Sequence, residues 1–305
     1  MNVLVVGLGS IAAKHINAIR QIDKDVRIYA LRSKPQAEKK DFVANLYSFD
    51  EINTIKFNFA IISNPTSEHK KTIDMLLALK CPLFIEKPVS DTIEMQDTMA
   101  EIQRLSVLTY IACNLRFLNS LQFVKEAILN NKKRINEVNV YCGSYLPEWR
   151  PNVDFRASYS ALKDMGGGVQ FDLIHEIDYV YWIFGKPQNV TKTFRNVSSL
   201  QIEAIDYAHY CLEYDNFCAG ITLNYYRRDY KRTMEILFDD STWLLDLKQN
   251  RVISGETEIF RSSQQISDTY LEQMKYFFQL INAGAKTSFN SINDAVEVLK
   301  IGIQK

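Results

Sequence analysis

Val3-Leu4-Val5-Val6-Gly7-Leu8-Gly9-Ser10-Ile11-Ala12 is an apolar run that passes directly into a glycine turn. The turn has the pattern GxGxxA and stands between a predicted strand and a predicted helix, the context in which this pattern binds a dinucleotide. Gly7 allows the tight turn, Gly9 lets a pyrophosphate approach the backbone, and the N-terminal N–H groups of the helix attract the anion. The alternative is a plain strand-to-helix turn. The residues expected to bind the cofactor here are Gly7, Gly9, Ser10 and Ile11.

Length and composition indicate a soluble protein that acts on a small molecule. The chain has 305 residues, more than one core usually contains, so two domains that share one ligand cleft are expected. Basic and acidic residues number 36 each, so no net charge attracts a nucleic acid or a membrane surface. The apolar N-terminus follows no basic segment and is interrupted by Gly7, Gly9 and Ser10, which favours a cytoplasmic protein over a secreted or membrane protein.

The cysteines indicate neither a disulfide framework nor a metal site. They are odd in number, scattered and without CxxC spacing, so we expect buried, reduced thiols and no bound metal. The five are Cys81, Cys113, Cys142, Cys211 and Cys218.

Residues 1–118 are predicted to form an α/β domain with a doubly wound parallel sheet, a Rossmann domain, because apolar runs alternate with helical patterns. The predicted strands are Asn2–Val6, Val26–Leu31, Phe59–Ile62, Pro82–Ile85 and Leu108–Ala112. The predicted helices are Ile11–Ile22, Glu68–Leu79 and Thr92–Leu105.

Residues 119–305 are predicted to form an α+β domain with an open, largely antiparallel sheet for substrate binding and oligomerisation. Its predicted elements are helix Ser120–Asn130, strand Val138–Cys142, a helix from Gly168 to Phe184, and strands Val190–Val197, Asp206–Tyr214, Cys218–Tyr226 and Thr233–Asp239. Helices Asp268–Ile281 and Ser291–Lys300 either cap that sheet or pack back on the first domain. An exposed sheet often pairs with a copy of itself, so a homodimer or homotetramer is expected.

The end of the second predicted strand favours NADP(H) over NAD(H). NAD-preferring folds have an Asp or Glu about 20 residues beyond the glycine turn, and this chain has none there. Instead Arg32, Ser33 and Lys34 offer a guanidinium, a hydroxyl and an ammonium to a 2′-phosphate. The alternative is that the two charges are merely solvated.

Phe84-Ile85-Glu86-Lys87-Pro88 places a charged pair directly after an apolar strand. Such strand ends line the ligand crevice of open α/β sheets. Lys87 is therefore a candidate to relay a proton to or from a substrate hydroxyl. The alternative is an ion pair at the surface.

Five separated motifs together resemble the Gfo/Idh/MocA oxidoreductase family. They are the glycine turn, Asn64-Pro65-Thr66 with His69, Glu86-Lys87-Pro88, Asn114-Leu115-Arg116-Phe117, and Gly166-Gly167-Gly168 leading to Asp172, His175 and Asp178. The resemblance implies a nicotinamide cofactor and hydride transfer at a hydroxyl or carbonyl carbon of a sugar, sugar acid, polyol or nucleotide sugar. It further implies catalytic roles for Lys87, His175 and Asp172, cofactor contacts by Asn64, Pro65, His69, Glu86, Lys87 and Asn114, and a substrate contact by Arg116.

The substrate helix departs from the family pattern, because Asp172 and His175 are three residues apart where many members have four. On one continuous helix the two side chains lie about 60° apart and face one cleft, together with Tyr179. The alternative assigns the family's aspartate position to Phe171. The preceding loop offers further substrate-binding residues, namely Tyr145, Trp149 and Arg150, since Trp stacks on sugars and Arg binds phosphate or carboxylate.

The cationic segment Arg227–Arg232 is either a contact for nucleotide-sugar phosphates or, as we favour here, a solvated hairpin tip. Two functions compete with hydride transfer to a sugar: a cofactor-sensing or regulatory protein without catalysis, and reduction of an imine or another unsaturated substrate.

Overall fold

The computed structural model describes residues 1–32, 40–130, 133–150 and 152–303. It divides into two compact units. The first contains Met1–Cys113 and Tyr270–Leu299, and the second contains Asn114–Thr269 and the residues from Lys300 onward. The boundary differs from the sequence division between residues 118 and 119, and Tyr270–Leu299 belong to the first unit, one of the two placements left open for the last helices.

The first unit is built on a parallel sheet with strand order β3-β2-β1-β4-β5-β6. Its elements are β1 (Asn2–Val6), α1 (Ser10–Ile22), β2 (Arg27–Leu31), β3 (Val43–Leu46), α2 (Phe49–Asn53), β4 (Phe59–Ile62), α3 (His69–Leu76), β5 (Leu83–Ile85), α4 (Gln96–Leu105) and β6 (Thr109–Ile111). The predicted doubly wound fold is confirmed. The order reverses at β1, which pairs with β2 on one side and β4 on the other, so the ligand crevice of this fold lies beyond the carboxyl ends of β1 and β4.

Burial explains why the central strands were recognisable from the sequence. All of β4 and β5 is buried, as expected for strands that helices cover on both faces. By contrast, β3 and α2 were not predicted, because β3 is a short, half-exposed edge strand with no apolar run and α2 has only five residues.

The second unit contains a mixed sheet with strand order β14-β13-β12-β11-β7-β10-β9-β8. Its elements are α5 (Asn119–Asn130), β7 (Ile135–Tyr145), α6 (Val169–Asp172), α7 (His175–Phe184), β8 (Asn189–Arg195), β9 (Tyr207–Glu213), β10 (Cys218–Asn224), β11 (Tyr226–Phe238), β12 (Thr242–Asp246), β13 (Arg251–Ser254) and β14 (Thr257–Arg261). Strands β7 and β10 pair in parallel, and the remaining described pairs are antiparallel. The expected open sheet is confirmed.

Two expectations for the second unit are wrong. The predicted helix from Gly168 to Phe184 is broken at Leu173 and Ile174, so Asp172 ends α6 and His175 begins α7. The segment Arg227–Arg232 is part of β11 and not a hairpin tip. Strands β12, β13 and β14 were missed.

The chain closes with α8 (Thr269–Asn282) and α9 (Ile292–Gly302), whose residues Tyr270–Leu299 belong to the first unit. There Phe277 packs edge-on against Phe59 and Phe84 of the parallel sheet, and all three side chains are buried. Within the described residues, no helix is long and apolar enough to cross a membrane.

Candidate functional site

The turn after β1 packs tightly against the chain that follows β4. Gly7 has a φ of +89°, and a Cβ there would lie 2.3 Å from the backbone nitrogen of Asn64, so only glycine fits. The Ser63 hydroxyl donates a hydrogen bond of 2.8 Å to the Gly7 carbonyl oxygen. This contact fixes the glycine turn at the point where the sheet order reverses.

The N-terminus of α1 suits an anion. Gly9 precedes the helix, is exposed, and a Cβ there would meet nothing within 4 Å. Among the described residues no side chain caps α1, and its first turn, which includes Ser10 and Ile11, contains no acidic residue. The N–H groups of this turn and the open space at Gly9 therefore fit the pyrophosphate of a dinucleotide.

Arg32 directly follows β2, and its backbone N–H donates to the Leu46 carbonyl oxygen over 2.9 Å. Its Nη1 is buried and has no hydrogen-bond partner among the described residues. A buried guanidinium nitrogen is a donor that suits a phosphate oxygen. Ser33 and Lys34, the other residues proposed for the 2′-phosphate, lie outside the described residues.

In the loop after β4, Asn64 has a polar atom left for the cofactor, whereas both ring nitrogens of His69 contact backbone carbonyl oxygens. Asn64 donates from Nδ2 to Thr72 Oγ1 over 2.8 Å, while its buried Oδ1 has no hydrogen-bond partner in the described part of the chain. Pro65 is exposed. His69, however, is 1% exposed and lies with Nδ1 2.9 Å from the Pro88 carbonyl oxygen and Nε2 2.9 Å from that of Asn64. His69 thus links two loops, and its expected cofactor contact stays a prediction. Burial lowers the pKa of His69 although the carbonyl contacts oppose this.

Lys87 follows β5 and is half-buried between two buried neighbours, Glu86 and Pro88. The Glu86 carboxylate contacts Nε2 of His15, a fully buried residue of α1, and its other oxygen accepts the Lys87 N–H over 3.2 Å. Glu86 therefore links α1 to the backbone of Lys87, and its expected cofactor contact stays a prediction. We call His15, Glu86 and His69 the histidine brace.

In the second unit, Asn114 and Arg116 make buried contacts with the protein itself. Asn114 donates from Nδ2 to Thr269 Oγ1 over 2.7 Å. Arg116 donates to both carboxylate oxygens of Asp178, at 2.9 and 2.7 Å, and both side chains are 2% exposed. Its guanidinium thus belongs to an internal ion pair, and the expected substrate contact of Arg116 stays a prediction.

Asp172 and His175 are both half-buried and flank the helix break. The Tyr225 hydroxyl donates a hydrogen bond of 2.6 Å to Asp172 Oδ2. Burial, first, and then the neighbouring Asp172 raise the pKa of Tyr225 well above its usual value, so the phenol keeps its proton. The contact gives Asp172 a defined partner, but no local pattern in the sequence indicates Tyr225, which lies 53 residues away along the chain.

Helix α7 is fixed directly after His175. Glu176 is fully buried and lies 2.8 Å from Nε of Arg232 in β11, and two residues later Asp178 holds Arg116. Tyr179 is fully buried, so the expectation that it shares an open face with Asp172 and His175 is wrong.

The loop after β7 combines anchored and exposed groups. Tyr145 accepts a hydrogen bond of 3.0 Å from Arg228 Nη2. Trp149 is 37% exposed, donates to Ser144 Oγ over 3.1 Å and packs edge-on against Tyr225, with ring centroids 5.3 Å apart. Arg150 is exposed. Trp149 therefore presents an aromatic surface beside the Asp172–Tyr225 pair.

Thiol and metal chemistry play no identified part in this arrangement. Cys218 is exposed, contrary to the expectation of burial, whereas burial raises the pKa of Cys142 to about 12. In the ranges that the structure covers, no group of three or more His, Cys, Asp or Glu side chains could hold a metal ion.

Two family models match the chain. The first is an oxidoreductase family with an NAD-binding Rossmann fold, over residues 1–110, and the second is the GFO/IDH/MocA C-terminal domain, over residues 123–243. Together they cover most of the sequence.

Among curated proteins, the chain is 26% identical to glucose-6-phosphate 3-dehydrogenase of Bacillus subtilis strain 168, in a match that covers 59% of this chain and 53% of that protein. It is 25% identical to 2,7-anhydro-N-acetylneuraminate hydratase of Escherichia coli strain K12, over 65% of this chain and 54% of that protein. The chain thus spans about half of each of these relatives. A solved structure of levoglucosan dehydrogenase in complex with NADH and levoglucosan has the same fold, with a TM-score of 0.85, 16% identity, and coverage of 99% of this chain and 95% of that chain.

Proposed function

Because this chain belongs to the Gfo/Idh/MocA oxidoreductase family, with an NAD-binding Rossmann fold in residues 1–110, we propose that it transfers a hydride between a nicotinamide cofactor and a sugar-like substrate. The reacting carbon bears a hydroxyl or carbonyl group on a sugar, sugar acid, polyol or nucleotide sugar. The names of two relatives, glucose-6-phosphate 3-dehydrogenase and levoglucosan dehydrogenase, support this substrate class.

The observation that carries the proposal is the placement of Lys87. Its backbone is held by Glu86, and Glu86 also contacts His15 of α1, the helix whose N-terminus suits the pyrophosphate. The histidine brace therefore ties the backbone of Lys87, a half-buried residue, to the element that binds the cofactor. A fixed general acid or base near a bound cofactor is what hydride transfer at a hydroxyl carbon requires.

Each group then has a stated task. The first turn of α1 binds the pyrophosphate, and a bound nicotinamide supplies the acceptor or donor of the hydride. In oxidation, Lys87 Nζ receives the proton of the substrate hydroxyl while the carbon loses its hydride, and in reduction it returns that proton to the oxygen. Asp172, oriented by Tyr225, and His175 bind and orient substrate hydroxyls.

Replacement of Lys87 tests the proposal. Lys87→Ala should lower kcat by about 10²- to 10⁴-fold, the usual contribution of a positioned acid or base, while the Kd for the cofactor stays unchanged. The substrate is first found by following nicotinamide fluorescence over a panel of sugars, sugar acids, polyols and nucleotide sugars. Lys71→Ala, at an exposed position on α3, is the matched control and should retain full turnover. Full turnover by Lys87→Ala would refute the role of Lys87.

The same panel, extended by imines, separates the competing functions. A cofactor sensor binds the nicotinamide without changing its redox state on any substrate, and an imine reductase oxidises NAD(P)H only with unsaturated nitrogen compounds. Against a sensor stands the brace itself, since binding alone requires no fixed lysine beyond β5.

We also propose that NADP(H) is preferred over NAD(H). In support, the residues directly after β2 are Arg32, Ser33 and Lys34, with no acidic residue among them. Arg32 also has a buried guanidinium nitrogen without a hydrogen-bond partner in the described residues. Hydrogen bonds to charged groups contribute about 1.5–3 kcal/mol, so Arg32→Ala should raise the Kd for NADPH by about tenfold or more. Its Kd for NADH should not change. Equal affinity of the unmodified protein for NADH and NADPH would contradict the preference.

A further inference from the structure

We propose that Arg228, stacked on Tyr145, forms a subsite for a phosphate group carried by the substrate. The proposal rests on the function proposed above and specifies its substrate class as a phosphorylated sugar, either a sugar monophosphate or a nucleoside diphosphate sugar. The argument uses the segment Arg227–Tyr230 of β11, which we call the bulge.

The bulge is an insertion in the pairing of β11 with β7. Tyr226 pairs with Tyr145 and Lys231 pairs with Gly143, so four residues of β11 lie opposite the single residue Ser144 of β7. The extra residues leave the ladder, and their side chains are directed by local packing. Gly143 makes room for this packing, because a Cβ there would lie 2.9 Å from the Cβ of Arg227. An insertion beside the loop of Trp149 is typical of strands that direct side chains to a site.

The two arginines of the bulge differ in their partners. Arg227 forms an ion pair of 2.5 Å with Asp229 and lies over the ring of Tyr141. Arg228 is exposed, lies 4.2 Å from the ring centroid of Tyr145, and in the part of the chain that the structure describes has no carboxylate partner. The stacking and the hydrogen bond to the Tyr145 hydroxyl hold its planar guanidinium in place. A guanidinium held in this way, with no anion to neutralise it, is suited to bidentate binding of a phosphate.

The position of Arg228 matches a sugar phosphate whose ring is bound by Asp172. Tyr225 holds Asp172, and Arg228 lies only three residues further along the chain. Three residues of extended chain span at most about 10 Å, and the bulge shortens that distance. This proximity concerns the backbones of Tyr225 and Arg228. Together with Trp149 packing on Tyr225, and Arg228 stacking on Tyr145 where the loop of Trp149 begins, it supports a sugar ring at Asp172 and Trp149 with its phosphate at Arg228.

Calorimetric titration of the NADPH-loaded protein tests the subsite without requiring turnover. The probes are glucose, glucose 6-phosphate and UDP-glucose, and the variants are Arg228→Ala and Arg228→Lys. The wild-type protein should bind one of the phosphorylated probes more tightly than glucose. Arg228→Ala should raise the Kd for that probe by about tenfold to a hundredfold, and Arg228→Lys should recover only part of the affinity because it cannot bind in a bidentate manner.

Arg195→Ala, an exposed arginine on β8 of the same sheet, is the matched control and should leave every Kd unchanged. Tyr145→Phe keeps the aromatic ring but removes the hydroxyl that fixes Arg228, and should give a smaller increase in Kd than Arg228→Ala. Tighter binding of glucose 6-phosphate identifies a monophosphate, and tighter binding of UDP-glucose identifies a diphosphate.

Equal affinity of the wild-type protein for glucose and both phosphorylated probes would overturn the subsite, as would an unchanged Kd in Arg228→Ala. Either result leaves the proposed hydride transfer intact, which is tested separately by the turnover of Lys87→Ala. Conversely, tight binding of a phosphorylated probe without turnover of any substrate in the panel would refute hydride transfer and retain the subsite.

Discussion

The segment around Lys87 and the region around Asp172 are held in different ways. Both neighbours of Lys87 are tied down by buried histidines, since Glu86 contacts His15 and the Pro88 carbonyl contacts His69. Asp172 instead lies at a helix break and has Tyr225 as its partner, beside the exposed Trp149. The difference suggests that the fold fixes the group needed for any substrate, whereas the groups that recognise one particular substrate lie on shorter, more exposed supports.

Helix α7 qualifies this contrast, because it is anchored as firmly as the histidine brace. Two buried ion pairs hold it within four residues of His175, one to Arg232 and one to Arg116. The adaptable part of the second unit is therefore confined to the loop after β7, the helix break and the bulge.

The largest effect is expected at Asp178. Asp178→Ala removes the carboxylate that neutralises the buried Arg116 guanidinium, which should lower the free energy of unfolding by about 3–5 kcal/mol in urea denaturation. Glu258→Ala, which removes an exposed partner of Arg261, should change it little. If Asp178→Ala lowers the free energy of unfolding as little as Glu258→Ala does, this ion pair does not anchor α7. The firmly held elements would then lie around Lys87 and not around Asp172.

Sequence analysis predicted what depends on neighbours in the chain. The glycine turn, the lysine after β5 and the strands of the parallel sheet follow from local patterns of glycine and apolar residues. Partners far apart in sequence were not predicted, because a single sequence contains no signal for them. Examples are His15 with Glu86, 71 residues apart, and Asp172 with Tyr225, 53 residues apart.

The protein partners of Arg116 and His69 were not predicted for the same reason. Arg116 and His69 belong to family motifs, and charged or imidazole groups in a motif suggest ligand contacts. Their partners in the structure are Asp178 and the Pro88 carbonyl, which lie 62 and 19 residues away along the chain. The helix break at Leu173 was missed because the apolar spacing continues through it, although Leu173 itself has non-helical backbone angles, φ −102° and ψ 29°.

Glu86→Gln tests the brace with an effect of intermediate size. The amide keeps the shape of the side chain but loses the charge that binds the Lys87 N–H and His15, and hydrogen bonds to charged groups contribute about 1.5–3 kcal/mol. We expect kcat to fall by at least about tenfold, with a smaller change in KM. Glu94→Gln, at an exposed position further along the same loop, is the matched control. An unchanged kcat in Glu86→Gln would show that Lys87 needs no brace.

Tyr225→Phe tests the other side of the comparison and should have a smaller effect. It removes the hydroxyl that orients Asp172 but keeps the ring that packs on Trp149. A hydrogen bond to a charged group contributes about 1.5–3 kcal/mol, but Tyr225 acts on the substrate only through Asp172, so only part of this is lost. KM for the substrate should rise about two- to tenfold, with kcat less affected. Tyr210→Phe is the matched control, because Tyr210 is equally buried and its hydroxyl donates to the Gly302 carbonyl oxygen over 2.8 Å. Equal kinetic effects of the two substitutions would assign Tyr225 a purely structural role.

The smallest expected effect is the pH dependence that His69 adds to the stability of the brace. Burial lowers the pKa of folded His69 below 6.5, so between that lowered pKa and 6.5 the unfolded chain binds more protons than the folded one. The stabilisation is therefore complete above pH 6.5 and is lost as the pH falls. From pH 7 to pH 6 the loss amounts to at most about 0.7 kcal/mol.

The measurement is the difference in the free energy of unfolding between the wild-type protein and His69→Gln at several pH values, which cancels the titration of the other histidines. Stability of the wild-type protein should fall more steeply below pH 6.5 than that of His69→Gln. Parallel curves would mean that His69 does not change its proton affinity on folding. The support that His69 gives Pro88 would then rest on its carbonyl contacts alone and would not depend on pH, like the support that Tyr225 gives Asp172.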